Sequence, residues 1–185
     1  MGSRSARTDV GRVRLLRRLV KTSAIALTVG AAFLLVAMIG GRFSDGPLEL
    51  VPGVPGGLLS GEVVRDPDVD WSFARDVDPI EVQIGSSPPR SIFTGVVVYR
   101  GSLFLPVTLS PLKRWPEVVS SDPRVLVRIE GRLFERKAVP VTDPDLLEEL
   151  IAAGRAKYGP PFHATWAARF TRYFRLDPLP PSQDE

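Results

Sequence analysis

A run of twenty residues without a charged side chain, near the N-terminus, constrains this chain more than any other feature. Residues 22–41 read TSAIALTVGAAFLLVAMIGG. A helix of that length spans about 30 Å, which matches the hydrocarbon core of a bilayer. A helix also satisfies its own backbone hydrogen bonds where no water is available. The run therefore predicts one transmembrane helix, with the lipid bilayer as a partner.

The basic residues around this run set its predicted orientation. Residues 1–42 contain eight Lys or Arg residues and one acidic residue, Asp9, for a net charge of +7. Segments rich in Lys and Arg beside a transmembrane helix remain in the cytoplasm. We therefore predict a single-pass cell-membrane protein with a cytoplasmic N-terminus and an extracytoplasmic C-terminal domain.

Two other interpretations fit an apolar run at this position. A cleaved signal peptide also places a basic segment before an apolar one. Its apolar part would be slightly long, from Ala24 to Ile39, and Gly40-Gly41-Arg42-Phe43 lacks the small-x-small cleavage pattern. A helix that packs on the core of a soluble domain of this size would keep a polar face toward water, and this run has none, which argues against a core helix. A retained anchor is therefore the favoured interpretation.

The charge of the remaining chain argues against nucleic acid as a partner. Beyond residue 42 the chain has 16 basic and 20 acidic residues, so the C-terminal domain is mildly acidic. Proteins that bind nucleic acid through phosphate contacts concentrate basic charge on the folded domain. Here the basic charge lies beside the apolar run, and we predict no binding to nucleic acid.

The residues that usually carry catalysis or metal binding are scarce. The chain has no cysteine, which excludes disulfides, thiolate nucleophiles and cysteine zinc sites. His163 is the only histidine, and we interpret it as structural. No P-loop, GxGxxG or GxSxG motif occurs. The sequence thus predicts no metal site, and the catalytic residues stay unknown.

The C-terminal part shows the patterns of short antiparallel strands. Apolar residues alternate with polar ones over Pro79–Ile84, the period of a half-buried strand. Two hairpins follow, each with a short turn that contains glycine. The first joins Ser91–Tyr99 to Leu103–Val107, the second joins Val125–Ile129 to Arg132–Val141, and a last strand lies near Arg172–Leu176.

One helix is predicted between the second hairpin and the last strand. Asp143 is a suitable N-cap, Pro144 suits the first helical position, and Gly159-Pro160-Pro161 ends the helix. Apolar side chains recur on one face and charged side chains on the other. The apolar face contains Leu147, Leu150, Ile151 and Tyr158, and the face predicted to contact water contains Glu148, Glu149, Arg155 and Lys157.

Several short motifs occur in a fixed order across this domain. The hairpin that begins at Arg90 is followed by a basic turn and by Asp122-Pro123-Arg124-Val125. The remaining motifs are Val141-Thr142-Asp143-Pro144, Lys157-Tyr158-Gly159 and the closing Phe174-Arg175-Leu176. Their order resembles the pyridoxamine 5′-phosphate oxidase-like family of flavin- and deazaflavin-binding proteins. The resemblance implies a mainly β fold with minor α content, an antiparallel split β-barrel of the FMN-binding type.

The predicted organisation has five parts. Residues 1–21 form a basic cytoplasmic tail, 22–41 the transmembrane helix and 42–65 a linker rich in glycine and proline. Residues 66–177 form the split-barrel-like domain, and 178–185 form a polar tail.

The family resemblance also implies a cofactor site. Members are homodimers that hold FMN or a deazaflavin in a cleft between subunits, with basic and hydroxyl side chains on the phosphate. A phosphate dianion requires charge-assisted donors of this kind. The basic residues implied here are Arg90, Lys113 and Arg114, and the hydroxyl residues are Thr108 and Ser110.

Two functions stay open from the sequence. In the first, the protein is a membrane-anchored oxidoreductase that uses FMN or a deazaflavin and acts on an unknown small-molecule substrate. In the second, it is a cofactor-free split-barrel module for binding or interaction at the membrane surface. The second is favoured by Gly95, which stands where the oxidases have another basic residue, and by prolines that remove backbone donors near the site. These prolines are Pro106, Pro111 and Pro116.

Overall fold

The computed structural model describes residues 3–48, 54–85, 87–108, 110–159 and 170–180, with side chains described from Val20 onward. The chain forms two units, Met1–Gly40 and Gly41–Glu185. Most of the first unit consists of helix α1, which covers Ser3–Gly41 and so ends at the first residue of the second unit.

The C-terminal part of α1 is strongly apolar. Val20–Gly41 has a mean hydropathy of 2.3, and its most apolar window is only 6% buried. The Thr28 hydroxyl donates to the Ala24 carbonyl oxygen at 2.9 Å, so this polar group is satisfied within the helix. The segment is long and apolar enough to cross a membrane, a property that it shares with signal sequences.

The described residues of the second unit form one sheet and two helices. The strands are β1 Glu62–Val64, β2 Ile80–Ile84, β3 Arg90–Thr94, β4 Val97–Tyr99, β5 Ser102–Val107, β6 Arg124–Ile129, β7 Arg132–Pro140 and β8 Arg172–Pro178. The helices are α2 Trp115–Ser121 and α3 Pro144–Tyr158. Short 3-10 turns cover Trp71–Arg75 and Ser110–Leu112.

The strand order shows why the sheet is curled. The order is β3-β2-β6-β7-β8-β5-β4, all antiparallel, with β1 added parallel to β7. β3 and β4 lie at opposite ends of this order, yet only Gly95 and Val96 separate them. So short a connection spans about 10 Å, and the sheet must bend to bring its ends together. The predicted fold class, a mainly antiparallel split barrel with few helices, is confirmed as a curled half-barrel.

The core lies on the concave side of this sheet, where alternate residues of neighbouring strands meet. In β2 the apolar residues Ile80, Val82 and Ile84 are all buried, so the predicted alternation is confirmed. Phe134 of β7 packs edge-on against Trp71, with ring centroids 5.0 Å apart. Phe174 of β8 packs against Trp115, with centroids 5.9 Å apart. The aromatic residues thereby join the sheet to the segments that cover it.

The predicted hairpins β4–β5 and β6–β7 are confirmed, but the single strand predicted over Ser91–Tyr99 is wrong. This stretch forms β3 and β4, and β3 pairs with β2 rather than with β5. The break has a clear cause at Val96. The Tyr158 hydroxyl accepts from the Val96 N–H at 2.8 Å and lies 2.9 Å from its carbonyl oxygen. The backbone of Val96 is therefore bonded to a side chain instead of a strand.

The predicted helix is confirmed with its ends. The Asp143 carboxylate accepts from the Asp145 and Leu146 N–H groups at 3.0 and 3.5 Å, and Gly159 follows with φ of +75°. The prediction that Lys157 contacts water is wrong. This side chain is half-buried, and its Nζ donates to the carbonyl oxygens of Val77 and Val96 at 2.7 and 3.0 Å. Burial lowers the pKa of Lys157.

The described residues of the glycine- and proline-rich stretch fold onto the sheet. We call residues 41–60 the entry segment. Gly56 pairs with Ser91 of β3 through two backbone hydrogen bonds of 2.9 and 3.1 Å. The Leu59 N–H donates to Gln83 Oε1 of β2 at 2.8 Å. Val54 and Leu59 are buried, so this part of the stretch belongs to the folded unit.

The β6–β7 turn leads to a stability prediction. Ile129 pairs with Arg132, and the two turn residues Glu130 and Gly131 have φ of +50° and +76°. Asparagine adopts this left-handed conformation more readily than glutamate. We expect Glu130→Asn to raise the free energy of unfolding by about 0.5 kcal/mol, measured by chemical denaturation. The exposed contact between Glu130 and Arg132, at 3.4 Å, contributes little against this gain.

Candidate functional site

A cleft with a volume of about 450 Å³ lies in the folded unit. It is bordered by β3, by the turn that precedes α2, and by the entry segment. Three cations line it, together with a wall of apolar and aromatic side chains. The cations are Arg90, Lys113 and Arg114, and the apolar residues are Pro47, Val54, Pro55, Ile84, Ile92, Phe93, Trp115 and Val118.

Local structure explains how the three cations reach one cleft. Arg90 is the first residue of β3, the edge strand of the sheet order. Lys113 and Arg114 lie between the 3-10 turn Ser110–Leu112 and α2. Helix α2 begins there because Pro116 occupies an N-terminal helical position, which proline favours. The curl of the sheet brings these two stretches, more than twenty residues apart in sequence, to the same cleft.

The positive charge of the cleft is not balanced by any carboxylate in the part of the chain that the structure describes. No carboxylate is among the described residues that line it. Within the described ranges, none of Arg90, Lys113 and Arg114 forms an ion pair. Lys113 is half-buried, and desolvation lowers its pKa. Because a desolvated cation without a partner is unfavourable, the cleft is suited to bind an anion.

The two predicted hydroxyl residues lie elsewhere. Thr108 lines a second cavity of about 250 Å³, which shares Phe93 and Lys113 with the cleft. Ser110 is buried and lines neither cavity. Its N–H donates to the Phe170 carbonyl oxygen at 2.9 Å, and its own carbonyl oxygen accepts from the Lys113 N–H at 3.1 Å. Ser110 thus shapes the turn that carries Lys113. His163 lies outside the described residues.

Gly95 and Tyr158 both line the second cavity, and Tyr158 leaves no room for a larger residue at position 95. A Cβ atom at this position would lie 2.9 Å from Tyr158 Oη, which is too close for a normal contact. The same Tyr158 hydroxyl lies 3.0 Å from Asp78 Oδ1. Burial raises the pKa of Tyr158, so the phenol stays protonated. The space beside Gly95 is therefore occupied by Tyr158.

Sequence reasoning missed the apolar part of the cleft. Trp115 follows Lys113 and Arg114 directly in the sequence, and an aromatic residue beside two cations is a local sign that the cleft also has an apolar wall. Pro47, Val54 and Pro55 carried no such signal, because they reach the cleft only through long-range packing of the entry segment. The structure thus adds an apolar wall to the predicted basic residues.

Comparisons with known proteins show similarity in structure only. No family model matches the sequence, and no curated protein matches it significantly. The heme storage protein HutZ from Vibrio cholerae superposes with a TM-score of 0.46 and 15% identity, over 58% of this chain and 84% of that chain. The conserved hypothetical protein Rv2991 from Mycobacterium tuberculosis gives 0.48 and 17%, over 65% and 85%. A FAD-binding protein from Mesorhizobium loti gives 0.38 and 12%, over 59% and 87%.

Proposed function

We propose that the folded unit binds a cofactor with an aromatic ring system and a phosphate, FMN or a deazaflavin, in the cleft of Arg90, Lys113 and Arg114. The observation that carries the proposal is the convergence of three cations on an apolar cleft where, among the described residues, they form no ion pair and no carboxylate lines the wall. The sequence resemblance to the pyridoxamine 5′-phosphate oxidase-like family supports the same assignment. We propose that the chain is a member of this family.

The residues of the cleft suit the two parts of such a cofactor. Arg90, Lys113 and Arg114 supply charge-assisted donors for the phosphate. Phe93 and Trp115 supply apolar surface for the rings and exclude water from them. The half-buried position of Lys113 strengthens its attraction for an anion, because screening by water is reduced. A bound flavin or deazaflavin supplies the redox chemistry, and the protein supplies position and charge.

The proposed setting of this cleft is a membrane-anchored homodimer. The apolar segment Val20–Gly41 supports anchoring, and the basic residues before it support a cytoplasmic N-terminus. The family resemblance supports a cleft completed by a second copy of the chain. A reporter enzyme that is active only outside the cytoplasm, fused to the C-terminus, tests the orientation: we expect activity, and its absence would contradict the proposed topology.

A cofactor-free interaction module is the second proposed function. It is favoured by Gly95 and Pro106 at the second cavity, which leave that cavity without the additional basic residue of the oxidases. Under this function the three cations would bind an anionic group of a partner instead of a cofactor phosphate.

An absorption spectrum distinguishes the two functions. We would purify the full chain in detergent, record its spectrum, and repeat the measurement after adding FMN or a deazaflavin and removing the unbound excess. We expect one of the two to remain bound, with its absorption bands shifted by the apolar cleft. A colourless protein that retains neither would contradict the cofactor proposal and favour the interaction module.

A further inference from the structure

The entry segment begins at Gly41, which is the last residue of helix α1 and the first residue of the second unit. Gly41 ends the apolar segment Val20–Gly41 and is itself buried in the folded unit. A Cβ atom at Gly41 would lie 2.8 Å from the Pro55 carbonyl oxygen and 3.3 Å from Val54 Cγ1. Val54 and Pro55 are also part of the cleft wall. The residue at the end of the apolar segment therefore contacts the wall of the cleft.

Polar contacts hold the entry segment in this position. The Ser44 hydroxyl lies 2.7 Å from the Gly41 carbonyl oxygen and 2.8 Å from that of Gly46. Asp45 accepts from Arg128 Nη1 at 2.6 Å and from the N–H and hydroxyl of Ser60 at 2.9 and 2.7 Å. Arg128 lies on β6, so these contacts connect the segment to the sheet. The first residues after the apolar segment are fixed to the folded unit.

An exposed patch of one cation and two apolar side chains lies on this part of the segment. Phe43 is 87% exposed and Leu58 is 62% exposed, and Arg42 is exposed beside them. The two stretches are adjacent, since a Cβ atom at Gly57, the residue before Leu58, would lie 2.6 Å from the Arg42 carbonyl oxygen and 2.7 Å from that of Ser44. The carboxylate of Asp45 is paired with Arg128, so its negative charge is neutralised. We call Arg42, Phe43 and Leu58 the lipid-facing patch.

We propose that the lipid-facing patch rests on the surface of the bilayer that holds the apolar segment, with Phe43 and Leu58 in the interface and Arg42 on lipid phosphates. Apolar side chains combined with basic charge favour this interfacial position. The proposal rests on the membrane anchoring proposed above and is independent of cofactor binding.

The absence of cysteine makes a direct test possible, since any introduced cysteine is unique in the chain. We would prepare the full chain with Leu58→Cys, with Glu148→Cys as the control on the exposed face of α3, and with Ala32→Cys inside the apolar segment. Each is labelled with a small fluorophore and reconstituted into phosphatidylcholine and phosphatidylglycerol vesicles. Nitroxide quenchers are placed on the lipid head group or deep in the acyl chain.

We expect the head-group nitroxide to quench the label at Leu58 at least about twofold more than the label at Glu148, as an interfacial position requires. We also expect the deep nitroxide to quench the label at Ala32. Equal quenching at Leu58 and Glu148, with Ala32 quenched, would overturn the proposed contact with the bilayer. No quenching at Ala32 would overturn the anchoring on which it rests, whatever the cofactor spectrum shows.

Discussion

Replacing Phe134 with alanine is expected to lower the free energy of unfolding of the folded unit by about 4 kcal/mol. The ring is 1% exposed and packs edge-on against Trp71, and Phe73 lies 6.2 Å away between ring centroids. Alanine removes the buried apolar surface and leaves a cavity, because at Phe134 strand β7 is held on both sides, by β6 and by β1, and cannot collapse into it. Chemical denaturation of the full chain in detergent, followed by tryptophan fluorescence, measures the change.

The same substitution at Phe43 is the matched control. That side chain is 87% exposed, so alanine there should change the free energy of unfolding by no more than about 0.5 kcal/mol. Equal losses at Phe134 and Phe43 would contradict the assignment of the core to the concave side of the sheet.

Arg128→Ala is expected to lower the free energy of unfolding by about 3 kcal/mol and to release the entry segment from the sheet. The side chain is 14% exposed and forms a two-pronged contact with Glu81, which is 20% exposed. It also donates to Asp45 and to the Ser60 carbonyl oxygen. Hydrogen bonds to Glu81 raise the pKa of Arg128, so its charge persists. Alanine leaves the Glu81 carboxylate largely buried without a partner.

Two measurements check the Arg128 prediction. Denaturation gives the loss in stability, and limited proteolysis should cut the entry segment faster in the variant than in the wild type. Arg175→Ala is the matched control, since the pair of Arg175 with Asp177 is more exposed, at 45% and 30%, and should contribute about 0.5 kcal/mol. An Arg128→Ala variant as stable and as resistant as Arg175→Ala would contradict the structural role of the network.

Features set by neighbouring residues could be predicted from the sequence. The alternation in β2, the two hairpin turns and the ends of α3 depend on residues within a few positions of each other. The features that failed depend on distant residues. The break between β3 and β4 at Val96 is caused by Tyr158, 62 residues later in the sequence. Lys157 is half-buried because its Nζ donates to the carbonyl oxygens of Val77 and Val96, which lie in two other segments.

The candidate site was predicted in part for the same reason. Arg90, Lys113 and Arg114 were identified from the resemblance, and the structure brings them to one cleft. The apolar wall formed by Val54 and Pro55 could not be predicted, because nothing local indicates that a stretch rich in glycine and proline folds back onto β3. Ser110 is a hydroxyl residue close in sequence to Lys113 and Arg114, which is why the resemblance implies it as a ligand of the phosphate. In the structure its backbone groups instead form hydrogen bonds in the turn that carries Lys113.

A titration with two ligands that differ only in the phosphate tests whether the cations of the cleft hold a cofactor phosphate. The affinities of FMN and of riboflavin, which lacks the phosphate, are measured for the full chain, for Lys113→Ala with Arg114→Ala, and for the charge-matched control Lys137→Ala with Arg155→Ala. Lys137 and Arg155 are exposed on β7 and α3. If the protein retains a deazaflavin instead of FMN, the phosphorylated and dephosphorylated forms of that deazaflavin replace FMN and riboflavin in the titration.

We expect the cleft variant to lose about a hundredfold in affinity for FMN, as removal of two charge-assisted contacts requires. Riboflavin should change by less than about threefold, and the control should bind both ligands like the wild type. Equal losses for FMN and riboflavin in the cleft variant, or an equal loss of FMN affinity in the control, would contradict the claim that Lys113 and Arg114 bind the phosphate.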